Sequence, residues 1–234
     1  MSNTIDNILQ HNNEGVKSLC RGRFIAAKSS FRAALVGLNK LEIKLGEQDQ
    51  ENPSSKPKTC PLVIETRTLP NLRRKDDDSQ YFICRDALLL SNHDPDADYG
   101  SLYPIIGAGL IGIVVFNLSL TSHYHEYLNS GGATNLKNVV RTYSKVWDAL
   151  NNDSFLLKEY HPIQKEKMML ATLNNMGIIF HKLENYSKAK RCFSTLKLIC
   201  SQKTAGVQSL QRDVRYGMAM NALFADQPSP ACAA

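Results

Sequence analysis

The sequence predicts an all-α fold of stacked helical hairpins, and two observations carry that prediction. The first is a recurring pattern. Asn13, Gly15, Ala27 and Phe31 near the start are matched, about 160 residues later, by Asn175, Gly177, Ala189 and Phe193. In both sets Asn precedes Gly by two, Ala follows that Gly by twelve, and the aromatic follows Ala by four. Small residues at these offsets let two antiparallel helices approach closely, and the aromatic fills the seam between them. The second is that apolar residues elsewhere recur mainly at threes and fours, the helical period. A single hairpin cannot bury its own apolar face, so repetition implies neighbours stacked side by side.

The elements follow in order. Residues 4–20 read as an amphipathic helix with Ile5, Ile8, Leu9, Val16 and Leu19 on its apolar side, broken by Gly22. Phe24 to Leu45 reads as a second helix, with Phe24, Ala27, Phe31, Ala34, Leu35, Leu38 and Leu41 at helical spacing and Gly46 as its stop. Residues 47–101 change character. Pro53, Pro57, Pro61 and Pro70 and the charge cluster 73–78 predict an exposed, partly disordered insertion. Leu62–Ile64 and Tyr81–Cys84 are strand-like and candidates to pair as a hairpin. Helix resumes near Ile106 and runs to about Leu128, and Gly131-Gly132 marks a turn. Leu136–Leu150 forms the next helix, with Val139, Val140, Tyr143, Val146 and Trp147 on one side. Pro162 opens a helix that continues from Lys165 to Leu183, because proline suits the first helical position. Tyr186–Ile199 returns after a short turn, and Val207–Phe224 reads as a last helix ahead of a loose tail at 225–234.

The domain organisation expected is therefore one unit. Hairpins span 4–46, 102–151 and 160–200, and a terminal helix at 205–224 covers the exposed end of the stack.

Composition agrees with a globular chain: 43% hydrophobic and 21% charged residues. The net charge of +6 is spread out rather than gathered in a block. Residues 151–200 hold eight Lys/Arg against four Asp/Glu, while residues 51–100 hold seven against nine. That distribution argues against nucleic acid and leaves a leaning toward acidic partners. Lys188, Lys190, Arg191 and Lys197 form a basic stripe without interleaved stacking aromatics, so neither RNA nor DNA is expected. The six cysteines form no CxxC pair, and three sit in helical patterns as small buried groups, which suits a reducing compartment. The first fifteen residues have no apolar core, so no secretory signal is expected. Leu102–Leu120 is mostly apolar, but its uninterrupted part, Ile105–Phe116, is twelve residues. A membrane span needs about 20, so a buried core helix is expected, with a cytoplasmic or nuclear location.

Ala171–Leu196 (ATLNNMGIIFHKLENYSKAKRCFSTL) resembles the tetratricopeptide repeat (TPR), a helix–turn–helix unit of ~34 residues. Leu173, Met176, Gly177 and Phe180 match the first helix of that unit, and Tyr186, Ala189, Phe193 and Leu196 match the second. Asn12–Leu35 matches through Gly15, Gly22, Phe24, Ala27, Phe31 and Ala34, and departs at Glu14 and Ser18. Phe116–Ser119 with Val139, Tyr143 and Val146 resembles a degenerate middle repeat, lengthened by eight residues and with Ser119 in place of Gly. The resemblance covers about 130 of 234 residues. It implies a curved solenoid whose first helices line a peptide-binding groove, a non-enzymatic adaptor or scaffold with a protein or peptide partner, and no catalytic residue, cofactor or metal.

Asn13, Asn117 and Asn175 fall at one repeat position and are the candidate groove residues, with Lys182 placed beside them. A carboxamide both donates and accepts. A row of them suits the main chain of an extended peptide, as in the Asn ladder of kinesin light chains. The same residues also suit bonds within their own repeats, bridging adjacent helices. The cationic residues of the TPR mode that grips a C-terminal carboxylate are missing at the corresponding positions, among them Asn12, Val16 and Ala171. A further expectation is that the inserted 47–100 segment folds back into the groove and regulates access.

One rival motif stands out. Gly107-Ala108-Gly109-Leu110-Ile111-Gly112 is a literal G-x-G-x-x-G, the signature of a nucleotide-cofactor-binding enzyme. That fold needs a strand before the glycines and another after the helix, and the sequence supplies neither. The histidines offer no ligand spacing: His123 and His125 point about 200° apart on a helix.

Overall fold

The computed structural model describes residues 2–46, 62–70, 82–92, 99–129, 132–151 and 156–225. The charge cluster at 73–78, Tyr81, Gly131 and the tail from 226 onward lie outside the described residues.

Helix dominates, as the periodicity predicts. The elements are α1 (Ser2–Cys20), α2 (Phe24–Gly46), β1 (Leu62–Thr68), β2 (Asp86–Asn92), α3 (Tyr99–Leu128), α4 (Ala133–Asn151), a turn of π-helix (Leu156–Tyr160), α5 (Pro162–Lys182), α6 (Tyr186–Ser201), α7 (Ala205–Gln208) and α8 (Arg212–Ala225). From α1 to α6 each helix packs against the next, and α8 lies on α6. The packing that the repeated pattern predicts is present at both ends of the chain. A Cβ on Gly15 would sit 2.6 Å from the Phe31 ring, and one on Gly177 would sit 2.7 Å from the Phe193 ring. Glycine is therefore required at both positions for the two helices to close on the aromatic. Ala27, Phe31, Ala189 and Phe193 are all buried.

The turns of these two hairpins are also alike. In the first, Gly22 has φ +70°, with its N–H on the Leu19 carbonyl and the Arg23 N–H on that of Ser18. In the other, Glu184 has φ 57°, with its N–H on the His181 carbonyl and the Asn185 N–H on that of Phe180. This is the Schellman closure, which satisfies orphan carbonyls at a helix end and favours glycine at the left-handed position.

Four expectations change. The insertion ends earlier than residue 101, because α3 already begins at Tyr99, and its described parts are not the exposed segment expected, since Leu62, Ile64, Leu69, Leu88 and Leu90 are buried in the core. The single terminal helix at 205–224 is two helices, α7 and α8. Glu166 of α5 holds the start of the first: its carboxylate accepts from the Gly206 N–H at 3.0 Å and from Thr204, fixing where α7 begins. Ser209 then turns its hydroxyl onto the Gly206 carbonyl at 2.7 Å, which competes with helical continuation. A π-helical turn, absent from the sequence reading, precedes Pro162.

The fourth change concerns the strands. Leu62–Ile64 belongs to β1, but its antiparallel partner is β2, in the register Leu62↔Asn92 to Thr68↔Asp86, and not Tyr81–Cys84. Phe82 and Cys84 are extended without strand pairing, and their backbone groups are held by side chains of distant helices.

Ile106–Leu128 within α3 is long and apolar enough to cross a membrane by length and composition, and 72% of its most apolar window is buried inside the molecule. Leu110, Ile113, Val114, Phe116 and Leu120 form the centre of the core. Gly107–Gly112 lies in the interior of this helix, where the amides are bonded along the helix and not gathered at its start.

Candidate functional site

An extended segment, residues 82–90, crosses the helices α8, α5, α3 and α1 in that order. Backbone N–H and C=O groups of one residue in a strand point to the same edge, and the edge repeats every second residue. Residues 82, 84, 88 and 90 present that edge to the helices, and each meets an asparagine.

Asn221 of α8 accepts from the Phe82 N–H at 3.0 Å and donates to its carbonyl at 2.7 Å. Asn175 of α5 does the same for Cys84, at 2.9 and 3.2 Å. Asn117 of α3 does so for Leu88, at 2.9 and 2.8 Å. Asn13 of α1 completes the row on Leu90, accepting at 2.9 Å and donating to the carbonyl. A carboxamide thus stands where a neighbouring strand would place a peptide group. From Asp86 onward the opposite edge of the segment pairs with β1. Asp86, the omitted even position, bonds through its carboxylate to the Thr68 hydroxyl at 2.7 Å.

A second set of asparagines braces the first. Asn12 donates to the Leu88 carbonyl at 3.0 Å and accepts from Asn117 at 2.9 Å. Asn174 donates to the Phe82 carbonyl at 2.9 Å and accepts from Asn221 at 2.8 Å. The Tyr143 hydroxyl accepts from Asn175 at 3.1 Å. Asn12, Asn117, Asn174, Asn175 and Asn221 are fully buried. Buried amides left unmade cost about 1–3 kcal/mol each, so such a row has to be satisfied in full.

Packing accompanies the hydrogen bonds. Ile83, Cys84, Ala87, Leu88 and Leu90 are buried, so both faces of the segment are covered. Burial pushes the Cys84 thiol up to about 12, which keeps it protonated. Phe82 lies against α8 where Gly217 has no side chain; a Cβ there would sit 2.1 Å from its ring.

The three asparagines picked from sequence are thereby brought onto one strand of the chain itself. Lys182 is placed elsewhere: its ammonium lies 4.2 Å from the centre of the Tyr127 ring. Sequence reasoning missed Asn12, Asn174 and Asn221 as partners of this strand. The doublets Asn12-Asn13 and Asn174-Asn175 were a readable signal for two of them. His123 is buried beside Tyr143, with ring centres 6.0 Å apart, and neither of its nitrogens has a hydrogen-bond partner. Burial lowers its pKa to about 3, with Lys182 contributing in the same direction.

Comparison with family models, with curated proteins and with solved structures finds no match.

Proposed function

We propose that this chain is a non-enzymatic adaptor built of TPR-like helical hairpins, which holds extended segments by their main chain along α1, α3, α5 and α8. One observation carries the reading: the two-way pairing of Asn13, Asn117, Asn175 and Asn221 with alternate peptide units of residues 82–90. A groove that grips peptide units tolerates many side chains, which suits an adaptor. Its resident occupant is the chain's own insertion, tethered at an effective concentration in the millimolar range for a short linker. A partner segment enters by replacing residues 82–90, so the insertion sets the threshold for binding.

The test is a labelled peptide spanning residues 81–93, added to the full-length chain. Saturable binding is expected, together with faster hydrogen exchange at the displaced Phe82, Cys84, Leu88 and Leu90 amides. Asn117→Ala plus Asn175→Ala, if still helical by circular dichroism, is expected to lose that binding. The reading fails if no peptide binds and the four amides exchange only through global unfolding. The strand is then a permanent part of the core.

A further inference from the structure

The helix α8 presents two sides. One carries Gly217 and Asn221 to Phe82. The other bears Arg215, Met218, Ala219, Ala222 and Leu223, and lines a groove of about 520 Å³. Those five positions recur at threes and fours, the stripe by which one helix meets another. The opposite wall comes from α6 through Leu196 and Cys200, and Val207 of α7 also lines the groove. Ala219 and Ala222 are small, so the surface has room for larger side chains from outside. Leu223 is 57% exposed although it lines an apolar groove. Among the described residues no helix occupies the groove.

Charge selects the occupant. Lys197, Lys203 and Arg215 line the groove, all of them exposed, and no acidic residue among the described ones does. Elsewhere on α6 Lys188, Lys190 and Arg191 are exposed and add to the positive charge of that helix. We propose that this groove docks an amphipathic helix of a partner protein, whose apolar stripe is flanked by Asp and Glu. The apolar stripe supplies the contact area, and the cations at the rim orient the helix and speed its approach. The site lies on the far side of α8 from the asparagine row, so it stands whether or not residues 82–90 can be displaced.

The experiment uses the full-length chain and three probes. Two are synthetic helices of about 18 residues, five turns long, with one leucine stripe and either Glu or Lys flanks. The third is dodecanoate, an anionic lipid-like acid. The Glu-flanked helix is expected to bind saturably, with amide chemical-shift changes centred on Ala219, Ala222 and Leu223. Affinity is expected to weaken as salt rises from about 50 to 200 mM, because exposed charges are screened. Lys203→Glu plus Arg215→Glu is expected to weaken it at least tenfold, about 1.4 kcal/mol, while the melting temperature stays put. Leu223→Asp is a second, independent variant with the same expected direction. Equal affinity for the Lys-flanked helix, shifts centred elsewhere, no binding of either helix, or saturable occupation by dodecanoate alone each overturns the proposal.

Discussion

The outer hairpins and the middle one solve the same packing problem differently. In α1–α2 and α5–α6 a glycine takes the face of a phenylalanine, and the approach leaves no room for a Cβ. In α3–α4 the corresponding residue is Ser119, fully buried, with its hydroxyl on the Val115 carbonyl at 2.7 Å. The aromatic there is Tyr143, set edge-on to Phe116 at 6.4 Å and to His123 at 6.0 Å. Its hydroxyl reaches Asn175 on the next hairpin. The outer hairpins are closed by their own two helices. The middle one spends its aromatic partly on its neighbours and is tied in by polar groups. A repeat can lose its small-residue signature and still keep its place when the asparagine row passes through it.

The largest expected effect tests that tie. Asn117→Ala strips both partners from the buried Leu88 peptide unit, apart from the bond from Asn12, and is expected to cost about 3 kcal/mol. Asn13→Ala, at the half-buried end of the row, is expected to cost about 1 kcal/mol. Denaturant unfolding compares them, and equal costs would dissolve the distinction between middle and edge. Next come Gly15→Ala and Gly177→Ala, each expected to destabilise by about 2 kcal/mol through overpacking against the phenylalanine. Ser119→Ala removes no more than one intrahelical hydroxyl bond and is expected to stay within about 0.5 kcal/mol.

The buried imidazole of the middle hairpin makes stability depend on pH. Burial keeps His123 neutral down to about 3, whereas in the unfolded chain it titrates near 6.5. Between those values the unfolded chain binds the additional proton, so stability falls as pH drops through that window. The slope approaches about 1.4 kcal/mol per unit once pH is well below 6.5. His161 and His181 are also lowered by burial and add to the trend, so His123→Leu is the control that isolates its share. An unchanged slope in that variant would remove the buried imidazole from the account. The two outer hairpins also differ from each other. Glu184 holds a left-handed conformation that Gly22 adopts without strain. Glu184→Gly is expected to stabilise by about 1 kcal/mol and Gly22→Ala to destabilise by a similar amount, read as opposite shifts in melting temperature.

The hairpins were legible because helical period, glycine breaks and the Gly–Phe spacing are local or nearly so. The π-turn at Leu156–Tyr160 and the start of α7 were not, because neither has a local signature; the start of α7 is fixed by Glu166, some forty residues away on α5. The strand pairing was half legible. Leu62–Ile64 has a strand's composition, but Tyr81–Cys84 has it too, and composition does not tell that β1 takes Asp86–Asn92 as its partner while Phe82 and Cys84 lie on the asparagines of α8 and α5. The shared repeat position of Asn13, Asn117 and Asn175 marked the row, while the occupant lay in the segment where sequence patterning is weakest. Asn221 carried no repeat signature, since α8 is not the first helix of a hairpin.

Phe82 and Asn221 are separated by 139 residues, yet they close the same row that Leu90 and Asn13 open. During synthesis the amino-terminal hairpin emerges long before the last rung exists. The partners of Leu90, Leu88 and Cys84 lie on α1, α3 and α5, so in a chain made from its amino terminus Phe82 is the rung whose partner comes last. A chain stalled before α8 would leave the Phe82 N–H without its asparagine, an unpaired edge group of the kind that recruits neighbouring polypeptides.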